Sequence, residues 1–267
     1  MIEYYGRECL IATAIKNRGD WEKIYADVKS KADMGLNEVA NYLKTMKCKA
    51  VTIIDDDYPA EVRDSCHRPP FVLFYYGDIS LLKDRNRMVT VVGSRKPSEY
   101  AKKKTREICS GVAKEGYVVV SGLARGIDTI AAEATVGIPG RSIAVLGNGI
   151  DIVYPPENQQ LRDRIACTGL LLSEYPDNEP PYPEHFPARN RILATLSAGT
   201  FVAEAMPHSG TLITTAFALS TNHDVATLPF EAGSEAMNNY LIKNGGALIE
   251  NTEDLIHFLS CPKPRQG

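Results

Sequence analysis

The stretch Met88-Val89-Thr90-Val91-Val92-Gly93-Ser94-Arg95-Lys96-Pro97-Ser98 sets a hydroxyl, a guanidinium and an ammonium directly behind a short apolar, β-branched run. That run reads as a strand buried on both faces. Gly93 breaks it, and Pro97-Ser98 opens a segment of helical period from Tyr100 to Lys114. A strand, a glycine turn and a helix start together offer unpaired backbone N–H groups and a positive dipole end, to which Arg95 adds a forked donor. The chemistry predicted is anion binding. Alone, such a turn could equally be an ordinary strand–helix connection with a surface arginine.

Related turns recur. Ser121-Gly122-Leu123-Ala124-Arg125-Gly126-Ile127-Asp128, Gly147-Asn148-Gly149-Ile150-Asp151, Phe186-Pro187-Ala188-Arg189-Asn190-Arg191 and Glu204-Ala205-Met206-Pro207-His208-Ser209-Gly210-Thr211 each carry glycine, serine or arginine beside an apolar run. The third glycine of a dinucleotide fingerprint is absent after Gly147-x-Gly149, and there is no Gly-x-x-x-x-Gly-Lys-Ser/Thr loop. Nicotinamide, flavin and ATP sites of the usual kinds are therefore not supported, and no cofactor is expected. His185, His208 and His223 are scattered and read as caps or solvent-facing groups. The six cysteines (Cys9, Cys48, Cys66, Cys109, Cys167, Cys261) include no Cys-x-x-Cys pair, which predicts reduced, structural thiols and no metal site. Asp55-Asp56-Asp57 reads as a solvated turn before Tyr58-Pro59.

These turns need elements to position them. From Met88 onward apolar runs alternate with helical segments, as in a parallel α/β sheet. The predicted strands are Met88–Val92, Tyr117–Ser121, Ser142–Leu146, Gly169–Ser173, Thr200–Ala205, Asp224–Leu228 and Ala247–Ile249. The predicted helices are Tyr100–Lys114, Ile127–Val136, Gln159–Cys167, Asn190–Leu196 and Thr211–Leu219. The fold class is α/β, a mostly parallel, doubly wound Rossmann-like sheet. Ligands of such sheets sit outside the carboxyl ends of the strands, where the glycine, serine and arginine turns fall. Upstream, Leu10/Ile11/Ala14/Ile15, Trp21/Ile24/Tyr25/Val28 and Leu36/Val39/Ala40/Leu43 keep helical spacing. They predict a small all-helical unit, either a partner- or DNA-binding module or, as the absence of a basic face favours, a packing cap on the main domain. Val51–Ile54 and Phe71–Tyr76 are short strands that lead into the main domain.

Bulk properties narrow the choice. The 267 residues are 44% hydrophobic and 24% charged with a formal net charge of −3, which excludes a general coat for nucleic acid or anionic membrane. Any anion site must be local. No apolar run reaches the roughly 18 residues of a membrane span, and the amino terminus lacks a signal pattern, so a cytoplasmic protein with no membrane partner is expected.

The ordered motifs resemble those of the bacterial DNA-processing protein A family (DprA, also called Smf). They are Gly93-Ser94-Arg95-x-x-Ser98, Ser121-Gly122-Leu123-Ala124-x-Gly126-Ile127-Asp128, Ala144-Val145-Leu146-Gly147-x-Gly149-x-Asp151-x-x-Tyr154-Pro155-x-x-Asn158, Ser173-Glu174-Tyr175-Pro176, Phe186-Pro187-x-Arg189-Asn190-Arg191-Ile192, and Glu204-Ala205 through Ser209-Gly210-Thr211-Leu212-Ile213-Thr214. They span roughly residues 50–255. The resemblance implies a helical, SAM-like domain over 1–60, an extended Rossmann-like DNA-binding domain over 61–258 and a flexible tail over 259–267. It further implies a homodimer without catalytic residues that binds single-stranded DNA and loads RecA onto it during natural transformation. Carried over by motif, the DNA-binding residues are Gly93, Ser94, Arg95, Ser98, Gly122, Gly126, Arg189, Asn190, Arg191, Ser209, Gly210 and Thr211, with Phe186 as stacking residue; Lys96 and Arg125, on variable positions of the same turns, are added for their charge. Lys102, Lys103, Lys104 and Arg106 supply a local positive field or, equally, a solvated helix face.

Departures from the pattern carry their own expectations. Ala132 replaces a usual histidine, Phe217 and His223 replace usual arginines, Leu228-Pro229-Phe230 stands where Val-Pro-Gly is usual, and Pro183-Glu184-His185 precedes the phenylalanine in place of basic residues. They predict a less basic groove. The short C-terminal side predicts no winged-helix module and no duplex binding through one. The competing expectation is a nucleotide-processing enzyme of the phosphoribohydrolase type, with Glu204 beside Ser209-Gly210-Thr211 as general base. A third is a protein-interaction scaffold with a vestigial pocket.

Overall fold

The computed structural model describes residues 6–261 apart from 208 and 222; His208 and most of the expected tail lie outside the described residues. Three short helices come first: α1 (Arg7–Lys16), α2 (Trp21–Ser30) and α3 (Leu36–Thr45). Asp20 caps α2 by accepting from the Lys23 N–H at 3.2 Å. The predicted apolar spacing buries Leu10, Ile11, Ala14, Ile24, Val28 and Val39, while Leu36 stands exposed at the start of α3.

β1 (Lys49–Thr52) follows, then α4 (Ala60–Ser65) and β2 (Val72–Gly77). β1 pairs antiparallel with β2, so it belongs to the main sheet although it lies within the first sixty residues. The repeating part runs β3 (Met88–Gly93), α5 (Glu99–Lys114), β4 (Val118–Ser121), α6 (Ile127–Thr135), β5 (Ser142–Leu146), α7 (Gln159–Thr168), β6 (Leu170–Ser173) and α8 (His185–Leu196). It continues through β7 (Gly199–Glu204), α9 (Gly210–Ser220), β8 (Asp224–Thr227), α10 (Asn238–Lys243), β9 (Ala247–Leu248) and α11 (Thr252–Ser260).

The sheet has the order β1-β2-β6-β5-β4-β3-β7-β8-β9. β2 is antiparallel to both neighbours, and every other pairing is parallel. Strands β3 to β6 therefore progress one way from β3, and β7 to β9 progress the other. That reversal opens a crevice at the carboxyl ends of β3 and β7. Alternate side chains of β3 feed two cores: Val89 and Val91 on one face, Met88 and Val92 on the other. Helices on both faces bury them, which is why the strands read as continuous apolar runs.

One element departs from the expectation in a way that matters for function. α8 begins at His185 rather than at Asn190, so Phe186–Arg191 is helix and not turn. Pro187 disguised this in the sequence. In the first turn of a helix its missing N–H would have had no partner anyway, so it is tolerated there.

Candidate nucleic-acid interface

A groove of about 680 Å³ lies at the switch point. Its walls are Gly93, Ser94, Arg95 and Lys96 after β3, Ala124 and Asp128 after β4, one face of α8, and the start of α9. The α8 face is Phe186, Arg189, Asn190 and Leu193, the i, i+3, i+4, i+7 positions of a helix. Ser209, the N-cap of α9, and Gly210, Thr211 and Thr214 within it form another wall, and Tyr154, Pro181 and Pro183 stand on the rim. Gly122 and Arg125 share a recess at one end of it with Arg95, Tyr154 and Phe186.

The expected site residues differ in how free they are to bind. Arg95 and Lys96 are exposed. Arg95 makes no hydrogen bond or ion pair with a described residue; its charge acts on the buried Asp128 and Arg189. The loop that presents it is rigid: the Ser94 N–H donates to the Glu204 carbonyl at 2.8 Å, and the Ser94 carbonyl accepts from the Ile127 N–H at 3.1 Å. Gly126 lies beneath, with φ +81°, where a Cβ would stand 2.3 Å from the Ser94 carbonyl oxygen. Its role is close packing under the loop.

Arg189 is buried, and its guanidinium donates to the carbonyls of Gly122, at 2.7 Å, and of Val145. It ties together the carboxyl ends of β4 and β5. Burial pushes its pKa down to about 10 against the attraction of Asp128. Gly122 lies against that guanidinium, which a Cβ would meet at 2.4 Å. Arg191 is turned away from the groove. Its guanidinium donates to the Glu174 carboxylate at 2.6 Å, the Arg68 carbonyl at 2.9 Å and the Ala188 carbonyl at 2.8 Å. It borders a separate cleft of about 980 Å³ between the α1–α2 corner and α8.

Ser98, expected to hold phosphate, is already committed. It caps α5 through its Oγ, and both its N–H and its hydroxyl donate to the Glu204 carboxylate, at 3.0 and 2.5 Å. The positive end of α5 is thus filled by a side chain of the protein itself. The same contact occupies the carboxylate that an enzymatic reading would use as general base. The start of α9 is open in a way that the start of α5 is not. Its N-cap residue Ser209 makes no side-chain cap, and its buried hydroxyl finds no partner among the described residues. A buried hydroxyl without a partner is uncommon and favours an arriving acceptor.

Phe186 is half-buried, its ring packed against Gly147, where a Cβ would meet it at 2.8 Å. The Tyr154 ring lies 5.3 Å from it, so the groove offers an aromatic pair. Tyr154 stands outside the expected set of site residues, although the Tyr154-Pro155-x-x-Asn158 motif signals it. The reason for that motif lies in Asn158, which is buried and donates to the Leu123 carbonyl at 3.0 Å and to the Thr129 hydroxyl at 2.8 Å. The departures at Ala132, Phe217 and His223 do not lie in the groove. Ala132 is in the core, Phe217 borders the larger cleft, and His223 is buried with Nε2 3.5 Å from Glu61. The expectation that their loss strips basic charge from the groove is corrected accordingly. Of the basic residues on α5, Lys102 pairs with Glu99 at 2.6 Å and Lys104 with Glu107 at 3.7 Å.

Asp128 gives the site a pH signature. Burial pushes its pKa from 3.8 up to about 6, although Arg189 and the N–H groups of Ala124 and Gly122 pull it down. Between those values the folded state holds a proton that the unfolded chain has lost. The contribution is therefore complete below pH 3.8 and lost as pH rises through about 6, amounting to about 3 kcal/mol. Denaturant midpoints between pH 4 and 7 are expected to fall less steeply in Asp128→Asn than in the parent; parallel curves would refute the assignment.

Fold and site together define a Rossmann-like protein with an arginine- and aromatic-lined groove at its topological switch point. A family model described as DNA recombination-mediator protein A matches residues 49–260, and the chain belongs to that family. It is 41% identical to the protein Smf of Synechocystis over 211 residues, 78% of this chain and 53% of that protein. It is also 41% identical to the DNA processing protein DprA of Streptococcus pneumoniae over 212 residues, 79% of this chain and 74% of the relative. The chain thus spans little more than half of the first relative's length. Among solved structures, that of S. pneumoniae DprA has a TM-score of 0.77 at 33% identity, covering 93% of this chain and 95% of the other. The Helicobacter pylori DNA processing protein A, described for its unique single-stranded DNA binding mode, has a TM-score of 0.72 at 30% identity, covering 80% and 96%. Among the described residues no helix is long and apolar enough to cross a membrane.

Proposed function

We propose that this protein is a non-enzymatic, cytoplasmic recombination mediator that binds single-stranded DNA in the switch-point groove and, as a homodimer, loads RecA onto incoming strands during natural transformation. One observation carries the binding step: Arg95 and the Ser209 hydroxyl at the start of α9, neither with a partner among the described residues, and the Phe186–Tyr154 pair line a single groove. Cation, oriented N–H groups and rings are what a strand of alternating phosphates and bases requires. The family and the H. pylori relative support the same ligand. The α1–α3 helices are taken as the SAM-like module that the family resemblance implies, and Gly93, Arg125, Asn190, Gly210 and Thr211 as groove-lining contacts.

Two measurements test the reading. Phe186→Ala is expected to weaken binding of labelled oligo-dT by about 1–3 kcal/mol, the usual worth of one stacked base. An abasic oligomer of equal length should bind parent and variant alike, and an equal loss on both would remove Phe186 from a stacking role. In a filament-nucleation assay with RecA and SSB-coated strand, addition of the protein should shorten the lag, and an unchanged lag would sink the mediator step.

A further inference from the structure

Arg125 stands beside the groove but is not free. Its guanidinium makes a two-point ion pair with Glu157, Nε to Oε1 and Nη2 to Oε2, the latter at 3.2 Å. The two side chains are 57% and 52% exposed. Their meeting is built into the backbone. Glu157 sits on the strap that carries Tyr154 into the groove, and its neighbour Asn158 is bolted to the Leu123 carbonyl and the Thr129 hydroxyl. The Ser121–Asp128 turn is held in turn by the Gly122 N–H donating to Asp128 at 3.0 Å. Both partners of the pair are thus presented by anchored segments, and Arg125 borders the recess shared with Arg95, Tyr154 and Phe186.

We propose that Glu157 gates the groove: its carboxylate stands in for a nucleic-acid phosphate on Arg125, and Arg125 joins the strand only when a phosphate displaces it. This rests on the reading of the groove as the single-stranded DNA site. A phosphodiester offers the guanidinium fork the same two-oxygen geometry as a carboxylate. An exposed ion pair is weak enough to exchange, and a strand already held at Arg95 presents its next phosphate at high effective concentration. The exchange is nearly neutral in ions, since the phosphate gives up a counterion while the released carboxylate takes one up. Arg125 therefore adds little affinity while Glu157 is present, and the anchoring at Arg95 decides whether a strand is retained.

The test is a titration of the full chain with labelled oligo-dT over a salt series, comparing Glu157→Gln, Glu157→Ala, Arg125→Ala and the double variant Arg125→Ala/Glu157→Ala, with Arg95→Ala in parallel. Removing the carboxylate is expected to tighten binding about two- to fivefold and to steepen the salt slope by about 0.7, one further phosphate neutralised. Neither gain should survive in the absence of Arg125. Equal gains with and without Arg125 would reduce Glu157 to a bystanding negative charge and overturn the gate. So would no gain at all while Arg95→Ala still loses binding, an outcome that leaves the groove reading intact. If Arg95→Ala also binds like the parent, the groove reading fails and the gate falls with it.

Discussion

Alanine at Arg95 is expected to lower the proposed affinity for single-stranded DNA by about 1.5–3 kcal/mol, the loss of charge-assisted hydrogen bonds to a phosphate, or about 10- to 150-fold. The salt slope is expected to become shallower by about 0.7, the signature of one lost phosphate contact on a single strand. Thermal stability stays within about 0.5 kcal/mol of the parent, because the side chain is exposed and bonded to no described residue. The effect falls on Arg95 because the other arginines of the motif set are engaged elsewhere: Arg189 on strand-end carbonyls, Arg191 on Glu174 and Arg125 on Glu157. Fluorescence anisotropy at several salt concentrations measures both quantities. An unchanged slope would mean that the strand runs elsewhere on the surface.

Arg191→Ala acts on the fold rather than on the ligand. The side chains of Arg191 and Glu174 are 8% and 5% exposed, and their contact is 2.6 Å. Removing the guanidinium leaves a buried carboxylate without its cation and frees the carbonyls of Arg68 and Ala188 that it had held. The expected loss is about 3–5 kcal/mol, a large part of a domain's stability. It should appear as a fall in the guanidinium chloride midpoint with little change in slope. Replacing both partners, as Arg191→Met with Glu174→Leu, should recover most of the loss, since no buried charge remains. Failure of the pair to recover would show that packing around Arg191, rather than the ion pair, holds α8 to β6. Below its melting range the single variant should keep the salt slope of the parent, which separates it from Arg95→Ala.

The contrast between these arginines bears on what was legible. The alternating apolar runs announced the parallel sheet, and the strands fall within a residue or two of expectation, because strands buried on both faces are apolar throughout. Placing the glycine, serine and arginine turns at strand carboxyl ends followed from that alternation alone, and the groove lies there. The family motifs were readable as well, and the family model covers the same span. The start of α8 was hidden by Pro187, and with it the phase of Phe186-Pro187-x-Arg189-Asn190-Arg191.

In a helix, residues two apart point about 200° away from one another. Phe186, Arg189 and Asn190 therefore face the groove while His185, Ala188 and Arg191 face the larger cleft. The carboxylates that decide which cations are free are distant in the chain: Glu204 fills the start of α5, Glu174 holds Arg191, Glu157 holds Arg125, and Asp128 lies near Arg189. By itself the sequence determined the sheet, the edge that carries the site and the kind of chemistry available there. Which arginine remains free to meet a phosphate was decided only in the tertiary structure, because a guanidinium's availability depends on the acceptor the fold brings to it, and no local pattern encodes a partner that far away.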